Sequence, residues 1–278
     1  MTKSLRQILS KDKCENPSCS SHGKLFRGWL DRREGIRLQG RWYCSPQCLE
    51  QAIADLWPRV QPAAREKKPR THRIPLGLVL LSRGLIDNDA LRAALEAQRK
   101  SGEGRLGHWL RDIGAATEQQ ITAALAIQWS CPVFPMDSGR HIECADLVPL
   151  PVLEAARMVP VHYLPGTRHL YLAFSDGVDY TSLYAVERML DCRTEPCMAD
   201  ESALHRAMEE VRHEHTAPEV VFDRIADIAQ VAATTRSYAA KLDAQDIRIV
   251  ACGEYLWVKL QAGPKSCSLL FRVISRIG

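Results

Sequence analysis

Apolar positions recur along the chain at two spacings, one helical and one extended, and they divide it into blocks. The first block is a tandem repeat. Leu76-Gly77, Leu80, Gly84, Leu91, Leu95 and Gln98 return thirty residues later as Leu106-Gly107, Leu110, Gly114, Ile121, Leu125 and Gln128. Ala93-Ala94 likewise returns as Ala123-Ala124. Self-similarity at a fixed offset marks a duplicated supersecondary unit. Leucines three to five residues apart, such as Leu76, Leu80 and Leu81, place an apolar stripe on one helix face. Gly84 and Gly114 fall where a helix ends in a left-handed residue, a conformation that glycine adopts without penalty. Asp87 is placed to cap a following helix, and Thr117-Glu118-Gln119-Gln120 has the form of a capping box. Each copy is therefore predicted to be a helical hairpin. One hairpin cannot hide its own stripe, so residues 76–136 are expected to form one helical domain from two packed copies.

After the repeat the pattern becomes mixed α/β over residues 137–215. Met158–Leu164 and His169–Phe174 read as strands, with Pro165-Gly166 as the turn between them. Asp179 starts a helix carrying Leu183, Val186 and Leu190. Thr194–Met198 is a further strand and Glu201–Val211 a second helix. Cys192 and Cys197 flank or enter that strand and read as buried thiols, while His205, His213 and His215 read as surface histidines. Residues 216–278 form a last block. It opens with a predicted long helix from Val220 to about Leu242, on the spacing of Phe222, Ile225, Ile228 and Val231. The strands Ile247–Cys252, Tyr255–Leu260 and Ser268–Val273 follow, with turns at Gly253 and Gly263-Pro264. Residues 58–75 have no apolar periodicity. They hold Pro62, Pro69, Arg65, Lys67, Lys68 and Arg70, and read as a basic linker.

Residues 1–57 carry a different signal. Four of the ten cysteines cluster there, as Cys14-x4-Cys19 and Cys44-x3-Cys48. In a protein without secretory features, such pairs point to a metal more than to disulfides. Four thiolates close a tetrahedral zinc site, which makes the metal structural rather than catalytic. The alternative is four free buried thiols. Ser45 and Pro46 are suited to the cap and first turn of a helix through Gln51, Ala52 and Leu56. Cys48 then falls where the helix dipole favours a thiolate. Phe26–Trp29 and Arg41–Tyr43 read as short strands.

Two resemblances follow from these motifs. Knuckle, hairpin and ligand-bearing helix, with Trp42-Tyr43-Cys44-Ser45-Pro46-Gln47-Cys48, resemble a treble-clef zinc finger of the MYM or FCS type. The tandem repeat resembles the MshEN-like N-terminal domain of the ATPases that power type II secretion and type IV pilus assembly. Ala173-Phe174-Ser175-Asp176 before a helix looks like that domain's second half. Ala244–Ile249 resembles, more weakly, the start of the small α/β subdomain that precedes the nucleotide-binding core. Part of that family binds cyclic di-GMP through a motif beginning Arg-Leu-Gly in each copy. Arg105-Leu106-Gly107 fits this form. The first copy reads Pro75-Leu76-Gly77, with Arg73 displaced by two residues. The resemblance implies a ligand set of Arg73, Leu76, Gly77, Leu80, Gly84, Gln98, Arg105, Leu106, Gly107, Leu110, Arg111, Gly114 and Gln128. Such a ligand offers phosphates and guanine edges, which guanidinium groups and helix N-terminal amides bind. In the bland reading, these Leu, Gly and Gln positions merely hold the hairpins together.

Charge adds one asymmetry. The 278 residues carry a net +4, but residues 1–75 hold sixteen Lys/Arg against seven Asp/Glu, and the rest twenty-one against twenty-six. Lys24, Arg27, Arg32, Arg33, Arg37 and Arg41 surround Phe26, Trp29 and Trp42. That pattern serves nucleic-acid contact, or else a solvated surface over a minimal aromatic core. No stretch is long and apolar enough for a membrane helix, and the first residues lack a secretory core, so a cytoplasmic protein is expected. No Gly-x4-Gly-Lys-Ser/Thr loop occurs. Gly263-Pro264-Lys265-Ser266 lacks the upstream glycine, and the chain ends where a motor core would begin. The expectation is an α+β multidomain binding protein, not an enzyme, with structural zinc and cyclic di-GMP as ligands. A nucleic-acid-binding regulator, or a ligand-free adaptor for a secretion or pilus ATPase or platform protein, is the alternative.

Overall fold

The computed structural model describes residues 13–19, 35–60, 73–136, 139–223 and 227–273. The strand read at Phe26–Trp29, the basic residues from Lys24 to Arg33 and most of the linker lie outside these. In chain order come β1 (Ile36–Leu38), β2 (Arg41–Tyr43), α1 (Pro46–Val60), α2 (Leu76–Ser82), α3 (Asn88–Ser101), α4 (Leu106–Asp112) and α5 (Glu118–Trp129). Next are α6 (Arg140–Glu143), α7 (Leu150–Ala156), β3 (Met158–Leu164), β4 (His169–Phe174), α8 (Tyr180–Leu190), β5 (Arg193–Met198) and α9 (Glu201–Glu214). The last are β6 (Glu219–Phe222), α10 (Ile228–Leu242), β7 (Asp246–Cys252), β8 (Tyr255–Ala262) and β9 (Lys265–Arg272). They form two compact units, one of residues 1–64 with 218–278 and one of residues 65–217.

The 65–217 unit begins with the two hairpins. Asp87 accepts from Ala90 N at 2.8 Å, and Thr117 with Gln120 closes a reciprocal capping box at α5. Gly84 and Gly114 end their helices at φ +65° and +69°. Leu80 and Leu110 are fully buried, and they form one core with Val79, Ile86, Ala94, Ala116 and Ala124. Gly77 lets helices approach: a Cβ there would lie 2.7 Å from Leu91 Cδ1, and one at Gly107 would lie 3.0 Å from Ile121 Cγ2. The second half is a three-stranded sheet in the order β3-β4-β5, antiparallel then parallel. α8, capped by Asp179, connects the parallel pair. Cys197 is fully buried and Cys192 partly so. His215 departs from the surface reading: Nδ1 lies 2.8 Å from the Ala145 carbonyl, and the side chain is only 6% exposed. The chain turns back there onto the 144–146 segment, a tertiary contact with no local signal.

The other unit is built on a six-stranded sheet in the order β2-β1-β7-β8-β9-β6. β1 and β2 form a hairpin whose two turn residues, Gln39 and Gly40, have φ of +55° and +78°, the signs of a type I′ turn. β1 runs parallel to β7, with Leu38 opposite Ile247. Gln39 N donates to Ile247 O at 2.9 Å, and the Gln39 amide reaches Ile249 O. The segments read separately at the two ends of the sequence thus share one sheet. Leu49 and Ile53 of α1 pack with Val231 and Ala239 of α10 against Leu38, Ile249, Val258 and Leu269. α1 runs through Pro58 to Val60, into the stretch read as linker. The predicted helix from Val220 is corrected. Val220–Phe222 lie in β6, parallel to β9, and the helix starts only at Ile228, capped by Asp227. Four ladder pairs to a strand almost fifty residues away outweigh a local spacing that mimics a helix.

Candidate functional site

The 13–60 segments bring the cysteines together. Cys14 and Cys19 flank a turn in which Cys19 N donates to Asn16 O at 3.1 Å and Ser18 N to Asn16 Oδ1 at 2.9 Å. Glu15 N donates to Trp42 O at 3.0 Å, tying this turn to β2. Cys44 directly follows β2, and Cys48 lies in the first turn of α1, where its N–H donates to Ser45 Oγ at 3.3 Å. The four Sγ atoms lie within 4.8 Å of one another, with Cys19–Cys44 at 3.5 Å and Cys44–Cys48 at 4.0 Å. Thiolates at about 2.3 Å from a tetrahedral ion stand about 3.8 Å apart, so these spacings fit a metal. Burial, then the adjoining Cys19 and Cys14 thiols, pushes the Cys44 thiol up to about 12. Burial likewise raises the Cys14 thiol, and a cation bound by the cluster would supply the charge that favours the thiolate form of both.

The 65–217 unit contains a cleft of about 430 Å³ on the second copy of the repeat. Leu76, Arg105, Gly107 and Arg111 line it with Glu118, Ile121 and Thr122, and Arg157, Ser175, Asp176 and Glu201 close it from the α/β half. Three arginines meet three carboxylates here. Arg105 Nη1 donates to Asp176 O at 2.8 Å, with its Nε 3.8 Å from the carboxylate, and Arg157 lies 3.6 Å from the same carboxylate. Arg111 pairs with Glu118 at 3.4 Å and Glu201 at 3.1 Å. Glu118 also accepts from Ser202 N at 2.8 Å and Ser202 Oγ at 2.7 Å, so it caps α9 from another helix. Burial raises its pKa, but the two Ser202 bonds and Arg111 outweigh this and hold the carboxyl below its ordinary range.

The other residues of the expected ligand set lie elsewhere. Leu80 and Leu110 have no exposed surface, Gly77 packs on Leu91, and Gly84 and Gly114 form turns. Leu106 lies beside Gly77 at the junction of the copies. Gln98 Nε2 donates to Gly104 O at 2.9 Å, and Gln128 Nε2 to Ile74 O at 2.7 Å. Arg73 stacks on Trp129, its Cζ 3.4 Å from the ring centroid. Trp129 in turn neighbours Tyr180, 6.3 Å between centroids, and its edge rests on Gly177, where a Cβ would be 2.6 Å away. Sequence reasoning missed Trp129, Arg157, Asp176, Glu118 and Glu201 as site residues. In the sequence Asp176, Glu118 and Glu201 carry only local signals, of a turn, a capping box and a helix start.

Among solved structures, the chain is similar to one described as MshE with cdg, at 28% identity over 50% of this chain and 99% of that one, with a TM-score of 0.43. It is also similar to the N-terminal domain of XpsE in two crystal forms, both at 19% identity. These cover 49% and 48% of this chain and 92% and 91% of those, with TM-scores of 0.34 and 0.29. No family model and no curated protein matches the chain.

Proposed function

We propose that the chain is a non-catalytic binding protein whose repeat takes cyclic di-GMP in the second-copy cleft, and whose four cysteines hold a structural zinc. The observation that carries the ligand reading is the placement of Arg105. It stands at the N-terminus of α4, beside Gly107 and Arg111, at the mouth of a cleft large enough for a nucleotide. Its guanidinium and that of Arg111 suit phosphate and guanine edges. Arg73, stacked on an indole with Tyr180 beside it, adds a cation and a planar surface on the first-copy side. The test is titration calorimetry of the full chain with cyclic di-GMP. Micromolar binding lost in Arg105→Ala supports the reading, and no heat at high micromolar ligand rejects it.

A second reading has its own observation. Leu80, Leu110, Gly77 and Gly107 work as packing residues, which supports the reading of the repeat as a ligand-free docking scaffold for a secretion or pilus ATPase or platform protein. Nucleic-acid binding through the finger rests on residues of which only Arg37, Arg41 and Trp42 are described. Binding to generic DNA that weakens steeply with salt would mark that role. Lys265 and Ser266 begin β9 of a hairpin rather than a phosphate-binding loop before a helix. Among the described residues, no helix is long and apolar enough to cross a membrane.

A further inference from the structure

We propose that Asp176 is an internal competitor for the anion site at Arg105. In the Ser175-Asp176-Gly177 loop, Ser175 and Asp176 line the cleft beside Arg105, and a ligand phosphate at that guanidinium must displace the Asp176 carboxylate to bind. This rests on the reading of the cleft as an anion-binding site and adds the residue that sets its affinity.

Arg105 and Arg157 both approach Oδ2 of the Asp176 carboxylate, at 3.8 Å and 3.6 Å. A carboxylate held between two guanidinium groups occupies the position that an oxyanion of a phosphate takes in an arginine site. The hold is loose. Both ion pairs are long, and the arginine side chains are 63% and 77% exposed. Pairs of that kind are worth little in water. A guanidinium fork suits a phosphate as well as a carboxylate, so a ligand phosphate at Arg105 takes this position in place of the Asp176 carboxylate. The short contact from Arg105 Nη1 goes instead to the Asp176 backbone oxygen, and this sets where the loop rests.

The other end of the loop is anchored differently. Gly177 has φ +154°, a conformation L side chains rarely adopt, and it lies against the edge of Trp129. Arg73 covers that indole. Three residues therefore reach from the motif arginine of the second copy to the arginine–indole stack of the first. Arg111 does not share this competitor. Its acidic partners, Glu118 and Glu201, lie at the starts of α5 and α9, and Glu118 is fixed by Ser202. Displacement is thus confined to Asp176.

The test compares wild type, Asp176→Asn and the Arg105→Ala/Asp176→Asn double variant of the full chain, titrated separately with pyrophosphate and with cyclic di-GMP. Asparagine keeps the shape and the backbone bond but removes the charge. The expected result is tighter pyrophosphate binding by Asp176→Asn, about three- to tenfold, as for one or two partly exposed ion pairs. The gain should vanish in the double variant. Equal, weaker or undetectable pyrophosphate binding by Asp176→Asn, or a gain that survives loss of Arg105, overturns the proposal. Cyclic di-GMP decides the parent reading separately. If it binds no variant while pyrophosphate gains at Asp176→Asn, the competitor stands and the second-messenger assignment falls.

Discussion

Gln98 and Gln128 make the same hydrogen bond in opposite directions across the repeat. Each second helix uses its glutamine amide to hold the residue two places before the other copy's Leu-Gly pair, at Gly104 O and Ile74 O. Leu76 and Leu106 are exchanged in the same way, each lying over the other copy's glycine. This is the reciprocity of an isologous contact between two subunits, reproduced within one chain.

The reciprocity makes a prediction. Gln98→Ala and Gln128→Ala should each destabilise the repeat by about 0.5–1.5 kcal/mol, the net worth of a hydrogen bond. Urea unfolding should show similar midpoint shifts with unchanged slope. A shift for one variant and none for the other would mean that the two bonds are not equivalent.

Gly107→Ala tests the close approach of α4 and α5. The added methyl would stand 3.0 Å from Cγ2 of Ile121, a β-branched side chain with little χ1 freedom. Overpacking of this kind costs about 1–3 kcal/mol, against about 1 kcal/mol gained in helix propensity. We expect net destabilisation in thermal unfolding, relieved in the Gly107→Ala/Ile121→Leu background, since leucine lacks the second γ carbon that meets the new methyl. Stabilisation by Gly107→Ala alone would show that the helices can part without cost.

Glu118 should make the repeat acid-sensitive. Its folded pKa lies below the unfolded value, so its contribution is complete above about pH 4.3 and is lost as pH falls through the folded pKa. Glu118→Gln should therefore cost about 1–3 kcal/mol at pH 7, the scale of charge-assisted hydrogen bonds. The difference should shrink as pH falls below the unfolded value and through the folded pKa. A pH-independent difference would assign the loss to shape rather than charge.

The cysteine cluster should bind about one zinc per chain by elemental analysis, since four thiolates fill one tetrahedral site. Zinc must displace protons from thiols whose burial holds them high, so retention should weaken as pH falls. Cys44→Ser should lose the metal. A protein that is metal-free as purified yet unchanged in stability by Cys44→Ser would refute the assignment.

Local chemistry was the legible part of the sequence. The repeat helices were announced by their own residues, down to the Asp87 cap and the Thr117–Gln120 box, because capping is satisfied within four positions. β6 was misread, and Ile36–Leu38 went unnoticed, because each is a short segment whose strand state comes from a distant partner, at Ser268–Phe271 and Asp246–Ile247. The same divide runs through the site. Arg105 and Arg111 were visible in the motif, whereas Asp176, Arg157 and Glu201 enter the cleft only through tertiary packing.

The parallel pairing of β1 with β7 also orders events during synthesis. Residues 65–217 are contiguous and can assemble as they emerge. Leu38 must wait for Ile247, more than two hundred residues later, before its edge is satisfied. Loop closure on that scale is slow relative to local helix formation. The cysteine knuckle and its β1–β2 hairpin therefore spend much of translation without their sheet partner, which leaves the ribosome among the last strands.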